Sequence, residues 1–307
     1  MTLRVVRAGL QTSIQGGPRT GLRHWAVPSG GAADSLSLAL ANRLVGNALD
    51  QAGLEISLSG ASFSCDKPMS VAVTGADATL TVNGSAADMH ETLRLNPGDR
   101  LDIGAARSGA RSYLAVAGEF DVPVVLGSQS TCLAAHFGGI DGRALEDGDI
   151  LTIRSRRVEE NLRTPDAFRY SPPSSPVVRA VAMPRVDSET LFDTKLEVAS
   201  RADRMGVQLT ALASGGAGNL PSQPVFPGGI QLPPEGQPFV LGVDAQTTGG
   251  YALIANIARV DRHVIGQLRP GGTLSFTRRE PGEARDEWLQ KVTHFNAWLG
   301  DARVAIR

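Results

Sequence analysis

Leu95-Asn96-Pro97-Gly98-Asp99-Arg100-Leu101-Asp102-Ile103 decides how this chain is read. Pro97-Gly98 supplies the φ values of a tight turn, and Leu101 and Ile103 alternating with Arg100 and Asp102 suit a strand with one buried face. The pattern returns as Leu145-Glu146-Asp147-Gly148-Asp149-Ile150-Leu151-Thr152-Ile153 and again as Leu268-Arg269-Pro270-Gly271-Gly272-Thr273-Leu274-Ser275-Phe276. Each copy reads as a turn running into a strand. Their irregular spacing excludes a solenoid, whose units recur at a fixed period. Set among 35 glycines in 307 residues, these units predict many short strands and few helices.

Working outward, further strands are expected at Ser70–Thr74, Ala78–Val82, Tyr113–Val116, Val177–Val181 and Phe239–Val243. Asn83-Gly84 is a hairpin-turn signal. One helix is expected from an Asp34 or Ser35 cap to about Val45, with Leu36, Leu40 and Leu44 on one stripe and Gly46 as its stop. A second lies between Pro281 and Gly300, where Trp288, Val292, Phe295 and Leu299 fall at helical spacing. The stretch from Arg156 to Pro176 is rich in Arg, Glu, Pro and Ser and ends in Ser171-Pro172-Pro173-Ser174-Ser175-Pro176, a turn-rich connector. We therefore expect an N-terminal lobe over 1–156, a linker over 157–176 and a C-terminal lobe over 177–307.

Hydrophobic residues at 42% and charged residues at 20% are ordinary for a globular protein and exclude wholesale disorder. A net charge of −1 argues against nucleic-acid or anionic-membrane partners, both of which favour a basic face. The opening residues carry no apolar run of the signal-peptide kind, and no segment is apolar enough to span a bilayer, so a cytoplasmic location is expected. Cys65 and Cys132 lack Cys-x-x-Cys spacing and read as buried, inert thiols. Several chemistries have no motif here: there is no Gly-x-x-x-x-Gly-Lys-Ser/Thr loop, no His-Glu-x-x-His, no Gly-x-Ser-x-Gly elbow and no Met-Lys-Met biotin attachment sequence. No metal site is expected.

Four polar, glycine-rich segments remain. The first runs from Gly9-Leu10-Gln11-Thr12-Ser13-Ile14-Gln15 through Arg19 and Val27-Pro28-Ser29-Gly30-Gly31-Ala32-Ala33-Asp34 to Ala41-Asn42-Arg43-Leu44-Val45-Gly46-Asn47. The second joins Arg111–Gly118 with Leu126-Gly127-Ser128-Gln129-Ser130-Thr131. The third is Asp203-Arg204-Met205-Gly206, and the fourth is Gly229-Ile230-Gln231-Leu232-Pro233 with Asp244-Ala245-Gln246-Thr247-Thr248-Gly249-Gly250-Tyr251. Together they resemble the allophanate hydrolase subunit 2 family, also called the biotin-dependent carboxyltransferase family, nearly end to end. That family includes the C subunit of the bacterial ATP-dependent 5-oxoprolinase and the carboxyltransferase portion of urea carboxylase.

The resemblance implies a mainly β fold of two cyclophilin-like β-barrel lobes with a few short helices. It implies a heteromer with a subunit 1-type protein. The expected function is a subunit of a multi-protein ATP-dependent 5-oxoprolinase, opening a cyclic amide to glutamate with a third subunit. ATP would be used by the complex and not through a P-loop in this chain. The alternatives are carboxyl transfer from carboxybiotin, carried on another chain, to urea or a related amide, and a non-catalytic regulatory partner of the subunit 1-type protein. Against the family pattern, Gly16 stands where an acid is usual, Ala245 where an arginine is usual, and Val207-Gln208 where an arginine is common.

The residues themselves leave two readings each. Gln246, Thr247, Thr248 and Tyr251 offer donors and acceptors suited to a planar amide or an oxyanion, or they form a satisfied hairpin turn. Arg204 could grip a carboxylate or phosphate with Asp203 as base or orienter, or the two could be a surface pair. Arg19 binds an anion or fixes its loop. Asp34 is a helix cap in preference to a catalyst. Asn42 and Glu55 support the site or satisfy the core. Ser128 lies in a run able to donate to an anion, and Gln231 joins the fourth segment's candidate binding residues.

Overall fold

The computed structural model describes residues 1–155, 160–184, 188–212 and 220–307. Residues 156–159, at the expected junction of lobe and linker, lie outside them. The chain divides into two compact units: Met1–Pro18 with Gly30–Pro172 and Phe295–Ala305, and Arg19–Ser29 with Pro173–His294 and Ile306–Arg307. The chain passes between units inside the Ser171–Pro176 connector. The short stretch Arg19–Ser29 and the end of the C-terminal helix are exchanged relative to a simple front-and-back division.

The first unit contains β1 (Thr2–Arg7), β2 (Gln11–Gln15), α1 (Ser35–Leu44), β3 (Gly53–Ser57), β4 (Ala61–Cys65), β5 (Met69–Asp77), β6 (Leu80–Val82), β7 (Ser85–Ala86), β8 (Leu93–Leu95), β9 (Arg100–Ile103), β10 (Ser108–Val116), β11 (Gly118–Phe120) and β12 (Ile150–Ser155). Its strands form a seven-stranded sheet in the order β11-β12-β1-β4-β9-β6-β7 and a five-stranded sheet in the order β2-β3-β10-β5-β8. Leu3, Val5, Leu54, Phe63, Val71, Val73, Leu101, Leu114, Leu151 and Ile153 share one core. Each such side chain removed from water contributes roughly 1.5–3 kcal/mol before entropy is counted.

The second unit contains β13 (Val177–Ala182), α2 (Glu189–Asp193), β14 (Leu196–Ala202), β15 (Gly206–Leu209), β16 (Gln223–Pro224), β17 (Gly229–Leu232), β18 (Phe239–Leu241), β19 (Thr248–Gly249), β20 (Ala252–Ile257), α3 (Arg262–Ile265), β21 (Thr273–Arg278) and the first part of α4 (Pro281–Leu299). Seven of these strands close a barrel in the order β13-β20-β17-β18-β15-β14-β21. The barrel closes by a parallel pairing of β13 with β21, in the register Val177↔Ser275 to Ala180↔Arg278. Closure removes the two free edges that an open sheet would expose. Strands β16 and β19 form a separate two-stranded ribbon.

The three turn-and-strand copies share one geometry. Gly98, Gly148 and Gly271 sit at φ 85°, 94° and 77°, a region in which a Cβ is disfavoured. Each of their N–H groups donates to a neighbouring strand, to the carbonyls of Cys65, Val5 and Val198 respectively, at 2.8–2.9 Å. In the first two copies the next residue is an aspartate whose Oδ2 accepts from the N–H three residues back: Asn96 to Asp99 at 2.7 Å and Glu146 to Asp149 at 2.8 Å. Gly272 fills that place in the third copy. Beyond each turn Leu101 and Ile103, Leu151 and Ile153, and Leu274 and Phe276 are buried. Asn83 and Gly84, both at positive φ, join β6 to β7 as a hairpin.

Helix α1 begins on Asp34, whose carboxylate accepts from the Ser37 N–H at 2.9 Å and the Ser37 hydroxyl at 2.6 Å. Such a cap contributes about 1 kcal/mol. The strand expected to Val243 ends at Leu241, because the chain bends there: Gly242 N–H donates to the Met205 carbonyl at 2.8 Å and Asp244 N–H to the Arg204 carbonyl at 3.0 Å. No helix among the described residues is long and apolar enough to cross a membrane.

His90 is buried in the first unit, where burial and the nearby Arg169 charge lower its pKa from 6.5 to about 4. The unfolded chain therefore takes up a proton that the folded chain refuses, and stability falls as pH drops from 6.5 towards 4. The full effect is on the order of 3 kcal/mol. His263 is depressed in the same direction in the second unit, by burial and then by Lys291 and Arg179. Denaturant melts across this pH range should show a shallower acid slope for His90→Asn, which tolerates the positive φ of that position.

Candidate active site

The densest set of candidate residues lies in the second unit around the β16–β19 ribbon. Val225 N–H donates to the Thr247 carbonyl at 3.0 Å, Pro224 and Gln223 pair with Thr248 and Gly249, and Leu220 N–H donates to the Gly250 carbonyl at 2.8 Å. The segment 220–225 thereby holds the backbone of 247–250. The hydroxyls of Thr247, Thr248 and Tyr251 make no hydrogen bond among the described residues, and Tyr251 is 41% exposed. Hydroxyl groups that donate and accept freely suit a polar ligand.

Beneath this ribbon lies Gln231 of β17, 1% exposed. Its Oε1 accepts from Gln246 Nε2 at 3.3 Å, and its own Nε2 is buried with no partner. Leaving a buried amide donor unsatisfied costs about 1–3 kcal/mol. Gly249 lies directly over it: a Cβ on Gly249 would stand 2.5 Å from Gln231 Nε2. Only glycine admits that approach without displacing the amide.

Arg204 and Asp244 govern the approach to Gln246. The guanidinium donates through Nε to Asp244 Oδ2 at 2.7 Å and through Nη2 to Oδ1 at 3.1 Å, and both side chains are 4% exposed. A buried, two-point pair fixes orientation as well as distance. It clamps the β14–β15 turn to the bend at 242–246. The Arg204 fork engages Asp244 and so braces the loop that carries Gln246. Asp203 is exposed and uses Oδ1 to accept from the N–H groups of Met205 at 2.7 Å and Gly206 at 3.1 Å, which forms the turn itself.

Other candidates fall elsewhere. Arg19 is buried at 2% exposure, and its N–H donates to the Ser29 carbonyl at 2.7 Å. Asp34, Asn42 and Ser128 belong to the first unit. Asp34 caps α1, and its N–H donates to the Tyr113 hydroxyl at 2.7 Å. Asn42 holds the loop after α1 through the Leu49 and Gln51 carbonyls at 3.3 and 2.8 Å, and its Oδ1 accepts from Asn47 at 3.1 Å. Ser128 donates to the Gly17 carbonyl at 2.6 Å. Glu55 accepts from the Tyr113 hydroxyl at 2.9 Å and from Ala33 N–H at 2.8 Å, with Arg111 Nε 3.3 Å away. Burial, followed by the charges of Glu55 and Asp34, drives the Tyr113 hydroxyl well above its ordinary pKa, so it acts as a neutral donor and acceptor. No group of three or more His, Cys, Asp and Glu arranged to hold a metal occurs among the described residues.

Sequence reasoning missed two residues. Asp244 stands two places before Gln246, but its partner is 40 residues away in sequence. Arg23 lies in an aperiodic stretch, and its Nη2 donates to the carbonyls of Val225 at 2.6 Å and Gln246 at 2.8 Å, more than 200 residues on. The only sequence signal was an arginine without a nearby acid.

A family model described as the carboxyltransferase domain, subdomains A and B, matches residues 25–278. The chain is 35% identical to the C subunit of 5-oxoprolinase from Escherichia coli, over 96% of this chain and 98% of that one. It is 30% identical to urea amidolyase of Saccharomyces cerevisiae over 89% of this chain, which spans only 16% of that protein. The solved structure of Kluyveromyces lactis urea carboxylase superposes with a TM-score of 0.84 at 28% identity, covering 94% of this chain and 28% of that one.

Removing Arg204 strands a buried carboxylate. Arg204→Ala should cost about 3–5 kcal/mol of stability in denaturant titration. Arg204→Met combined with Asp244→Leu should recover most of that loss, because the uncompensated charge has gone with its partner.

Proposed function

This chain belongs to the carboxyltransferase domain family of subdomains A and B, and from that premise we propose that it serves as the C-type subunit of an ATP-dependent 5-oxoprolinase. The observation that carries this reading is coverage. The likeness to the 5-oxoprolinase relative runs over 96% of this chain and 98% of that one. The same chain matches only 16% of urea amidolyase, so most of what that protein does rests on segments with no counterpart here.

The reaction is hydrolysis of a lactam. Water adds to the ring carbonyl carbon, the C–N bond breaks, the nitrogen takes a proton, and the acyl carbon leaves as the second carboxylate of glutamate. ATP supplies the activation that makes the lactam carbonyl electrophilic. In this chain, the Gln246–Gln231 amide pair would match the amide edge of the ring. The Thr247 and Thr248 hydroxyls, already without partners, would donate to the oxygen that gains negative charge. Tyr251, at the exposed end of the ribbon, would close over the ligand. Arg204 and Asp203 would hold the turn and the bend that place Gln246. Arg19, Asp34, Asn42 and Ser128 would support the loops they already tie. The partners would be a subunit 1-type protein and a third 5-oxoprolinase subunit, in the cytoplasm.

A second reading is favoured by the family description and by the likeness to urea carboxylase: carboxyl transfer to urea or a related amide. Biotin, carried on another chain, would supply the carboxyl group. The unpartnered Gln231 donor fits the carbonyl oxygen of a lactam, of urea or of a ureido ring alike.

The test is ATP-dependent release of glutamate from 5-oxoproline by this chain co-expressed with its subunit 1-type and third partners. Activity that disappears when this chain is omitted is expected, with Thr247→Ala lowering kcat by about a hundredfold to a thousandfold, the range seen on losing an oxyanion donor. An intact complex with no glutamate release, and carboxylation of urea when a biotin carboxylase and carrier are added, would establish the second reading.

A further inference from the structure

The β16–β19 ribbon stops one rung early. Its register pairs Gln223 with Gly249 and Pro224 with Thr248. Continued by one residue, that register sets Val225 opposite Thr247. In an antiparallel ladder two residues opposed in a hydrogen-bonded pair exchange both N–H···O bonds. Here only one of the two is made: Val225 N–H donates to the Thr247 carbonyl at 3.0 Å. The return bond, from Thr247 N–H to the Val225 carbonyl, is absent among the described residues. Arg23 Nη2 sits on that carbonyl instead, at 2.6 Å, and on the Gln246 carbonyl at 2.8 Å. One nitrogen therefore holds both sides of the ribbon where its ladder ends.

Arg23 is itself fixed in place. It belongs to Arg19–Ser29, the short stretch that joins the second unit. Arg19 N–H donates to the Ser29 carbonyl at 2.7 Å and closes the base of that stretch. Arg23 opens a single 3-10 turn, Arg23–Trp25, secured by Trp25 N–H on the Leu22 carbonyl at 2.9 Å and Ala26 N–H on the Arg23 carbonyl at 3.0 Å. Its guanidinium stands 5.7 Å from the centre of the Phe226 ring. Nη1 reaches the Ser29 hydroxyl only at 3.5 Å, and among the described residues no carboxylate pairs with Arg23 to draw the fork away. A charged donor makes a stronger hydrogen bond than the neutral Thr247 N–H with which it competes for the Val225 carbonyl.

We propose that Arg23 is a positioning residue: by taking the Val225 carbonyl and holding that of Gln246, it ends the ribbon at Pro224 and Thr248 and fixes the corner that carries Gln246 and Thr247. The inference rests on the reading of residues 246–251 as the substrate-binding surface. Gln246 is gripped at two points, its carbonyl by Arg23 and its side chain by donation to Gln231 Oε1 at 3.3 Å. Without Arg23 the Val225 carbonyl falls to the Thr247 N–H and the ladder gains its missing rung. The Gln246 carbonyl then loses the one donor it has among the described residues, and the corner moves towards Val225. Arg23 touches no reacting atom and acts through Gln246 and Thr247.

Amide-resolved hydrogen exchange on the full chain reads the ladder, and glutamate release by the co-expressed complex reads its consequence. In the wild-type chain Thr247 N–H should exchange, relative to its intrinsic rate, at least about tenfold faster than the bonded Val225 N–H. Arg23→Ala should slow Thr247 exchange by about tenfold as the rung closes, whereas a simple loss of stability would speed it. The same variant should lower kcat by about tenfold to a hundredfold, the effect of a misplaced group, with KM changing less. Guanidinium far below denaturing concentrations should restore part of kcat and quicken Thr247 exchange again, and sodium chloride at the same ionic strength should do neither. Arg23→Lys keeps the charge but not the fork, and should recover part of the activity. Equal protection of Thr247 and Val225 N–H in the wild-type chain overturns the assignment, and that measurement needs no variant to fold. Thr247 exchange unchanged or faster in Arg23→Ala overturns it too, as does an intact kcat or a loss that guanidinium does not mend. A wild-type complex that releases no glutamate while Thr247 exchange follows the expected pattern would sink the oxoprolinase reading and leave the hold of Arg23 on the ribbon standing.

Discussion

Arg204 and Asp244 form an ion pair in which both side chains are 4% exposed, and the geometry of the second unit's polar surface follows from it. Drawing both charges out of water is unfavourable, and the pair is tolerated because two parallel hydrogen bonds offset much of that desolvation. Its consequence is local and directional. It ends β18 at Leu241, turns the chain through 242–245, and delivers Gln246 to the buried amide of Gln231. The same bend is held by Gly242 N–H on the Met205 carbonyl and Asp244 N–H on the Arg204 carbonyl, and the ribbon beyond it by pairing with Gln223 and Pro224.

The first unit solves a comparable problem with a different device. One set of its buried polar groups is gathered around Tyr113, whose hydroxyl accepts a hydrogen bond from Asp34 N–H and donates one to Glu55. Asp34 in turn begins α1, and Glu55 accepts from the loop that precedes it. One phenol thus ties a helix start to the two central strands β3 and β10. Burial keeps that phenol neutral, which is what allows it to donate and accept at once. These residues are tied to one another, whereas in the second unit Gln231 Nε2 is buried without a partner.

The ribbon site consists of groups with unused hydrogen-bonding capacity. Three hydroxyls have no partner among the described residues, an amide nitrogen is buried and empty, and an arginine is half satisfied by carbonyls. Native proteins satisfy nearly all buried polar groups, so the empty Gln231 Nε2 is an exception that a bound acceptor would remove.

The sequence by itself determined the mainly β character, the turn-into-strand units, the Asn83-Gly84 hairpin, both long helices with the Asp34 cap of the first, and the segments that identify the family. These depend on contacts within a few residues: a φ that only glycine accepts readily, an aspartate three places from the N–H it holds, an alternation that buries every second side chain. It also picked out Gln231 and the run from Gln246 to Tyr251, which are polar and glycine-rich where a plain core would be apolar. Tertiary structure decided the rest. That Arg204 is engaged by Asp244, that Asp34 is a cap, that Gln231 Nε2 is left empty under Gly249, and that Arg23 reaches across more than 200 residues to the Gln246 carbonyl are facts about who is adjacent to whom. A side chain's role is set by the partners that remain once the fold has assigned all the others. Those partners are chosen by strand order and barrel closure, which no local pattern encodes.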